Sequence, residues 1–346
     1  MKADLEAASL RVPGVSLAVA AHGRVESAQA FGLLAADRAE RVSTTSMFHA
    51  ASMSKLVTAL GVLRLVSQGH VNLDEDVNGL LRSWQVPDDG AAAPSPVTLR
   101  MLLSHQSGIV DAEGTFDVCP PELDEPELLD VLRGRSALNP HPVRVTHVPG
   151  SQFSYSDAGY CVVEQALTDV TLTPFDDVMR QLVLDPLDMT RSRFGAPVAH
   201  SDDTDVAAGH DRGGAVIDGR HPRYPYLAAA GLWSTPTDLA RVLSELHQAL
   251  SGGGRLGLAR EHAAGMVRGQ ASTPWAGLGT FVGGTDRARI TSLGWGVGFQ
   301  CMLRAYPYSG DAVLVMTSCD PGRPQDEALT GHLVHEVETT RDWARQ

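Results

Sequence analysis

Of 28 basic residues 26 are arginine and two are lysine, and one of those two, Lys55, stands three positions after a serine in Ser52-Met53-Ser54-Lys55. Positions i and i+3 of a helix share a face, so a hydroxyl and an amine placed there come within hydrogen-bonding reach. A guanidinium stays protonated at any accessible pH, whereas a desolvated ammonium can release a proton and act as a base. A chain that writes its positive charge as arginine should keep lysine where proton transfer is needed; the other lysine, Lys2, is terminal. A serine hydroxyl becomes a nucleophile once an adjacent base takes its proton, and the positive end of a helix favours the anion that follows. The S-x-x-K pattern is thus a candidate covalent-catalysis site; the plainer reading of the same letters is a capping serine before a solvated lysine.

Two more segments carry chemical content. Pro149 to Tyr160 contains Tyr155-Ser156-Asp157. A buried tyrosine beside a lysine gains a stabilised phenolate that can share a proton with Ser52 and later pass it to a leaving group. Thr291 to Phe299 reads Thr-Ser-Leu-Gly-Trp-Gly-Val-Gly-Phe, and its glycines would let a substrate lie against a strand edge. A backbone N–H there could complete an oxyanion hole with that of Ser52. Read blandly, the two segments are a turn with aromatic packing and a glycine-rich bulge.

Elements to position these residues can be read from periodicity. Val15 to Ala21 and Val25 to Phe31 are β-rich runs around His22-Gly23-Arg24, an antiparallel hairpin signature. Met53 to Gln68 is helical and apolar on too many sides for a single stripe, so it should be buried nearly all round. Val86 to Pro96 reads as a surface loop, Thr98 to Leu103 as a short helix, Glu127 to Leu132 and Pro174 to Leu182 as further helices, and 195 to 224 as a long surface excursion. Strand signals return at Ala288 to Leu293, Phe299 to Tyr306 and Ala312 to Thr317, and a helix from Gln325 to Trp343 closes the chain. Strands near both ends with helices between suggest an α+β fold. One antiparallel sheet would be built from residues 1–75 and 225–346, with a mainly helical subdomain, 76–224, inserted.

Composition narrows the chemistry. The chain has 346 residues, 43% of them hydrophobic, enough for a large core and two subdomains. Net charge is −13, which argues against nucleic-acid partners. The acidic run Asp111 to Asp130 reads as a solvated helix and its approach. No apolar stretch of signal or membrane-span length is present, so the expected location is cytoplasmic, away from a membrane. Four dispersed cysteines fit reduced thiols, and the 13 histidines make no metal-binding spacing, so neither a metal nor another cofactor is expected.

The order Ser52-x-x-Lys55, Tyr155-Ser156-Asp157, Ser292-Leu293-Gly294 resembles that of the penicillin-recognising serine hydrolases, in particular the class C β-lactamase-like branch. Leu102 to Ile109, Pro149 to Tyr160 and Ala230 to Leu239 are similar to recurrent segments of that family, so the resemblance extends over nearly the whole chain. It implies a β-lactamase/transpeptidase-like fold and a covalent acyl-enzyme. Ser52 would be the nucleophile, Lys55 and Tyr155 the proton-transfer pair, and the N–H groups of Ser52 and Trp295 the oxyanion hole. His105 falls in a segment the family uses structurally. Two departures stand out. The family's Y-x-N is Y-S-D, placing a carboxylate at Asp157 where an amide usually contacts substrate. The third motif begins with Ser292 instead of a cation, ahead of Gly294. Both make the site less positive, so a neutral or amine-bearing ester or amide, as a small molecule or short peptide, is the expected substrate. Acyl transfer, true β-lactamase or D,D-peptidase activity, and a catalytically silent binding or assembly protein are the alternatives.

Overall fold

The computed structural model describes residues 12–87, 95–197, 204–271, 273–284 and 287–343. Residues 1–11, with the start of the Met1–Val15 segment, most of the 86–96 loop and part of the 195–224 excursion lie outside this set. The fold is α+β. Six strands form one antiparallel sheet: β1 (Gly14–Ala21), β2 (Arg24–Gly32), and, after the small strands β3 (Phe48–His49), β4 (Arg193–Phe194) and β5 (Leu232–Ser234), the strands β6 (Phe281–Gly283), β7 (Arg289–Gly296), β8 (Phe299–Tyr306) and β9 (Asp311–Thr317). Their order is β2-β1-β9-β8-β7-β6, so the N-terminal hairpin is joined to the C-terminal meander through the β1–β9 pair. A second sheet, β3-β5-β4, lies beside Ser52.

The helices are α1 (Ser54–Ser67), α2 (Leu99–Leu103), α3 (Leu128–Leu132), α4 (Asp157–Thr171), α5 (Phe175–Met179), α6 (Leu227–Ala230), α7 (Pro236–Leu250), α8 (Arg260–Met266) and α9 (Leu329–Thr340). Alternation in β1 explains the layering. Val15, Leu17 and Val19 join Leu333, Val334 and Val337 of α9 in one apolar cluster, while small residues turn to the other face, where α7 packs. On that other face lies the main core, into which α1 sinks with Leu56, Leu60 and Leu63 fully buried. Each such side chain contributes roughly 1.5–3 kcal/mol of transfer free energy.

Three expectations change in detail. The closing helix is broken: a single turn at Gln325–Glu327 is separated from α9 by Ala328, whose extended backbone (φ −103°, ψ 177°) cannot continue a helix. The segment after Pro174 is helical only to Met179 and widens into a π-type turn over Arg180–Leu184. The described part of 195–224 is a surface excursion only in part: residues 211–220 are exposed or half-buried, but 206–210 pass through the interior. Val206, Ala207 and Ala208 are buried, and His210 is fully buried with Nδ1 against the Ser318 carbonyl (2.6 Å) and Nε2 accepting the Ala36 N–H (2.9 Å). One polar residue of the segment, His210, is thus spent inside the protein, which composition alone could not show.

Candidate active site

Ser52 sits in a single helical turn, Ala51–Met53, immediately ahead of α1. Ala51 adopts φ +47°, a left-handed conformation that a non-glycine residue reaches only at a cost. The turn is clamped by Ser54, whose Oγ donates to the Ala51 carbonyl (2.6 Å) and accepts the Leu232 N–H (2.9 Å) from β5. Lys55, one helical turn on, is 3% exposed. Its Nζ donates to Ser52 Oγ (3.2 Å) and the Ala229 carbonyl (2.8 Å) and lies 2.6 Å from Asp157 Oδ1.

Tyr155 closes the other side. Its hydroxyl hydrogen-bonds Lys55 and Ser52, its ring lies under Nζ (4.9 Å to the centroid), and the residue as a whole is 40% exposed. His105 stacks on that ring at 4.3 Å between centroids and accepts the Ser156 N–H at Nδ1 (3.1 Å). Burial, with Lys55 adding to it, holds the His105 pKa well below the ordinary histidine value, so the ring is a neutral spacer.

Electrostatics here differ from the sequence expectation on two counts. Burial alone would lower the Lys55 pKa, but the Asp157 carboxylate, followed by Tyr155, more than offsets it, and the net shift is upward. Lys55 is therefore a firmly held cation at rest, not an amine ready to accept a proton. Burial raises the Tyr155 pKa, Lys55 offsets only part of this, and Asp157 pushes the same way as burial, so Tyr155 is a neutral phenol instead of a stabilised phenolate. Asp157 contributes to both corrections, as the main partner of Lys55 and as an addition to burial at Tyr155. The carboxylate expected to meet substrate turns instead to the lysine.

Several residues that place this cluster had no signal in the chain. Asp111 accepts from Ser156 Oγ (2.7 Å), the Asp157 N–H (2.6 Å) and the Ala158 N–H (3.1 Å), while Ser156 Oγ caps α4 through the Gly159 N–H (2.9 Å). Asp111 thus belongs to the site's frame and not to a solvated acidic run; burial, then Asp157, raises its pKa against those donors. Glu164, also on α4, accepts the Ala228 N–H (2.8 Å) at the start of α6. The carbonyls of α6 then serve α1 and β3: Ala228 takes Thr58 Oγ1 (3.1 Å), Ala229 takes Lys55, and Ala230 meets His49 Nε2 (2.7 Å). A lone glutamate within the apolar Tyr160–Leu167 run was the available hint.

Across from Ser52, a cavity wall is made by Thr291, Ser292 and Leu293 of β7 and by Gly279, Thr280 and Phe281. A Cβ on Gly294 would lie 2.2 Å from the Ala50 carbonyl, so only glycine lets β7 press against the segment carrying Ser52. One on Gly279 would meet the Lys55 carbonyl at 2.8 Å. β6 pairs only with residues 289–291 of β7, so no described strand covers Ser292 to Trp295 on the side away from β8; within that stretch the Gly294 carbonyl accepts from Gln325 Nε2 (3.1 Å). Ser292 is buried at the cavity, whereas the Trp295 side chain is exposed and donates from Nε1 to Asp320 (2.8 Å). The described residues contain no group of His, Cys, Asp or Glu able to hold a metal ion, and no helix among them is long and apolar enough to cross a membrane. All four cysteines are buried and free.

Known proteins are similar to this chain in sequence and fold. Protein flp of Staphylococcus aureus (strain N315) is 26% identical over 226 residues, 65% of this chain but 42% of that protein, so the chain spans less than half the length of such relatives. The octameric penicillin-binding protein homologue from Pyrococcus abyssi superposes with a TM-score of 0.78 at 22% identity, covering 97% of this chain and 76% of the other. The D-amino acid amidase of Ochrobactrum anthropi SV3 gives 0.69 at 25% identity over 89% and 86% of the two chains. A family model described as Beta-lactamase matches residues 3–337, and the chain belongs to that family.

Proposed function

We propose that this protein is a serine hydrolase that forms an acyl-enzyme on Ser52 and cleaves an ester or amide of a small, neutral or amine-bearing molecule. The observation that carries the reading is the convergence of Ser52 Oγ, Lys55 Nζ and the Tyr155 hydroxyl at one point facing the free edge of β7. Ser52 Oγ attacks the acyl carbon, its proton passing toward Lys55. The N–H groups of Ser52 and of the β7 edge at Trp295 receive the oxyanion. Tyr155, a neutral phenol, supplies the proton the leaving group needs, and water then takes the acyl group by the reverse path.

Charge supports the substrate class. The lysine of the cavity is already paired with Asp157, His105 is neutral, and Ser292, where the family resemblance implies a cation, is an uncharged lining residue. Among the described residues that line this cavity none carries a spare positive charge to meet a substrate carboxylate, which disfavours penicillin-like molecules. Membership of the family and likeness to a D-amino acid amidase support hydrolysis of an acyl bond. A fluorophosphonate probe followed by peptide mass spectrometry tests the nucleophile: wild type is expected to be modified at Ser52 and Ser52→Ala to stay unmodified. Absence of an adduct on the folded wild type would leave a binding protein in its place. A panel of neutral esters, D-amino amides and β-lactams then ranks the substrates, β-lactams last.

A further inference from the structure

We propose that Asp157 is the terminal proton acceptor of the acylation step, receiving through Lys55 the proton that leaves Ser52 Oγ. The inference rests on the acyl-enzyme reading above. Its starting point is that Lys55 has nothing with which to accept: the ammonium donates to Ser52 and to the Ala229 carbonyl and is ion-paired with Asp157. To take the Ser52 proton it must first lose one. The Ala229 carbonyl is no base, and the Tyr155 hydroxyl is itself a proton donor. Asp157 Oδ1, 2.6 Å from Nζ, is the remaining acceptor.

The step balances without any further reagent. One Nζ–H bond breaks as Asp157 gains the proton; the lone pair left on nitrogen takes the Ser52 proton as the Oγ–acyl bond forms. When the bond to the leaving group breaks, Tyr155 protonates that group and recovers a proton from Lys55, which regains one from Asp157. Transfer within so short an ion pair moves a proton without carrying net charge through a buried site, which makes it easier than stripping an isolated buried ammonium.

The frame suits an acceptor. Asp157 is the first residue of α4 and its own N–H is tied to Asp111, while its buried Oδ1 touches Lys55 and accepts no hydrogen bond from another donor. The ionisable groups that act on it among the described residues include the cation Lys55, a second carboxylate, Asp111, and Tyr155, Tyr160, Cys161, Tyr224 and Tyr226. Apart from Asp111, these tyrosines and the thiol have raised pKa values and stay neutral over the acid limb of a rate profile.

The test is the rate of fluorophosphonate labelling of Ser52 as a function of pH in wild type and Asp157→Asn. In the variant Lys55 must reach its neutral form unaided, so the acid limb is expected to move up by more than one pH unit. Labelling at pH 6 should fall by about tenfold or more and recover in alkali. A limb that stays in place, or moves down as removal of a negative charge beside a Tyr155 phenolate base would make it, overturns the proposal. A proton inventory in H₂O/D₂O mixtures on the wild type supplies a readout independent of folding of the variant. Curvature from two moving protons is expected, and a straight line for one proton sinks the idea. Failure of wild type to label at any pH would instead remove the acyl-enzyme reading itself.

Discussion

The two walls that face each other across Ser52 are built on opposite plans. On the α1 side, side chains dominate: Ser52, Lys55, Tyr155, Asp157 and Asp111 form one continuous cluster of hydrogen bonds and an ion pair, braced by α6. On the β7 side the wall is a strand edge with uncharged side chains, brought close by Gly294 and not covered by β6 beyond Thr291. A network of mutually dependent side chains tolerates little, because each change leaves a buried partner unsatisfied. A strand-edge wall carries few such debts. Chemistry and substrate choice are therefore separable here, and each wall can be perturbed alone.

The largest effect should come from the cluster. Lys55→Arg keeps the charge but cannot relay a proton, and turnover of any ester substrate should fall by about a thousandfold or more with the fold intact by circular dichroism. Tyr155→Phe should cost on the order of a hundredfold. If both variants turn over normally, the α1 wall is scaffolding. Gly294→Ala tests the strand-edge wall: β7 must retreat from Ala50, and a displacement of that kind should reduce kcat by about tenfold to a hundredfold while thermal stability falls less than in a core truncation. Unchanged kcat would mean that the close approach at Gly294 does not hold the site.

Ser292→Lys should sharpen the separation. A charge-assisted contact contributes roughly 1.5–3 kcal/mol, so kcat/KM for carboxylate-bearing substrates should rise by about tenfold to a hundredfold. Neutral esters should gain nothing. Equal gains for both substrate types would show that Ser292 does not face the substrate.

The smallest effect concerns Glu164, whose pKa burial pushes up to about 8, with the Ala228 and Leu227 amides opposing. A raised folded-state pKa means that the folded state holds its proton longer. Stability from this group is complete below the ordinary glutamate pKa near 4.5 and is lost as pH rises to about 8. Glu164→Gln removes the titration, so the stability of the variant relative to wild type should improve steadily from pH 5 to 8 in denaturant melts. A difference independent of pH would contradict the assignment.

What could be read from the chain divides along the same line. The N-terminal hairpin, α1, β8 and β9 announce themselves because periodicity and turn residues are local, and the Ser52-x-x-Lys55 spacing is local too. Helix α7 carried a signal that went unused, Thr235-Pro236-Thr237-Asp238, in which Thr235 caps through the Asp238 N–H (3.1 Å). The electrostatics were not legible. Whether Asp157 faces substrate or Lys55 depends on a lysine 102 positions earlier in the chain, and Asp111 matters only because it is folded against the start of α4. Charge coupling of this kind is a property of distance in space, to which composition is blind.

Ala51 gives the molecule a standing conflict between endurance and activity. A non-glycine residue at φ +47° gives up roughly 1–2 kcal/mol that the fold recovers elsewhere. Selection for thermal robustness acting on this protein would find its easiest gains in relaxing that residue, next to Ser52, and the same relaxation would let the hydroxyl drift from its aim. Variants hardened against heat should accordingly cluster their compensations far from residue 51, in the sheet and its covering helices, where rigidity costs the reaction nothing.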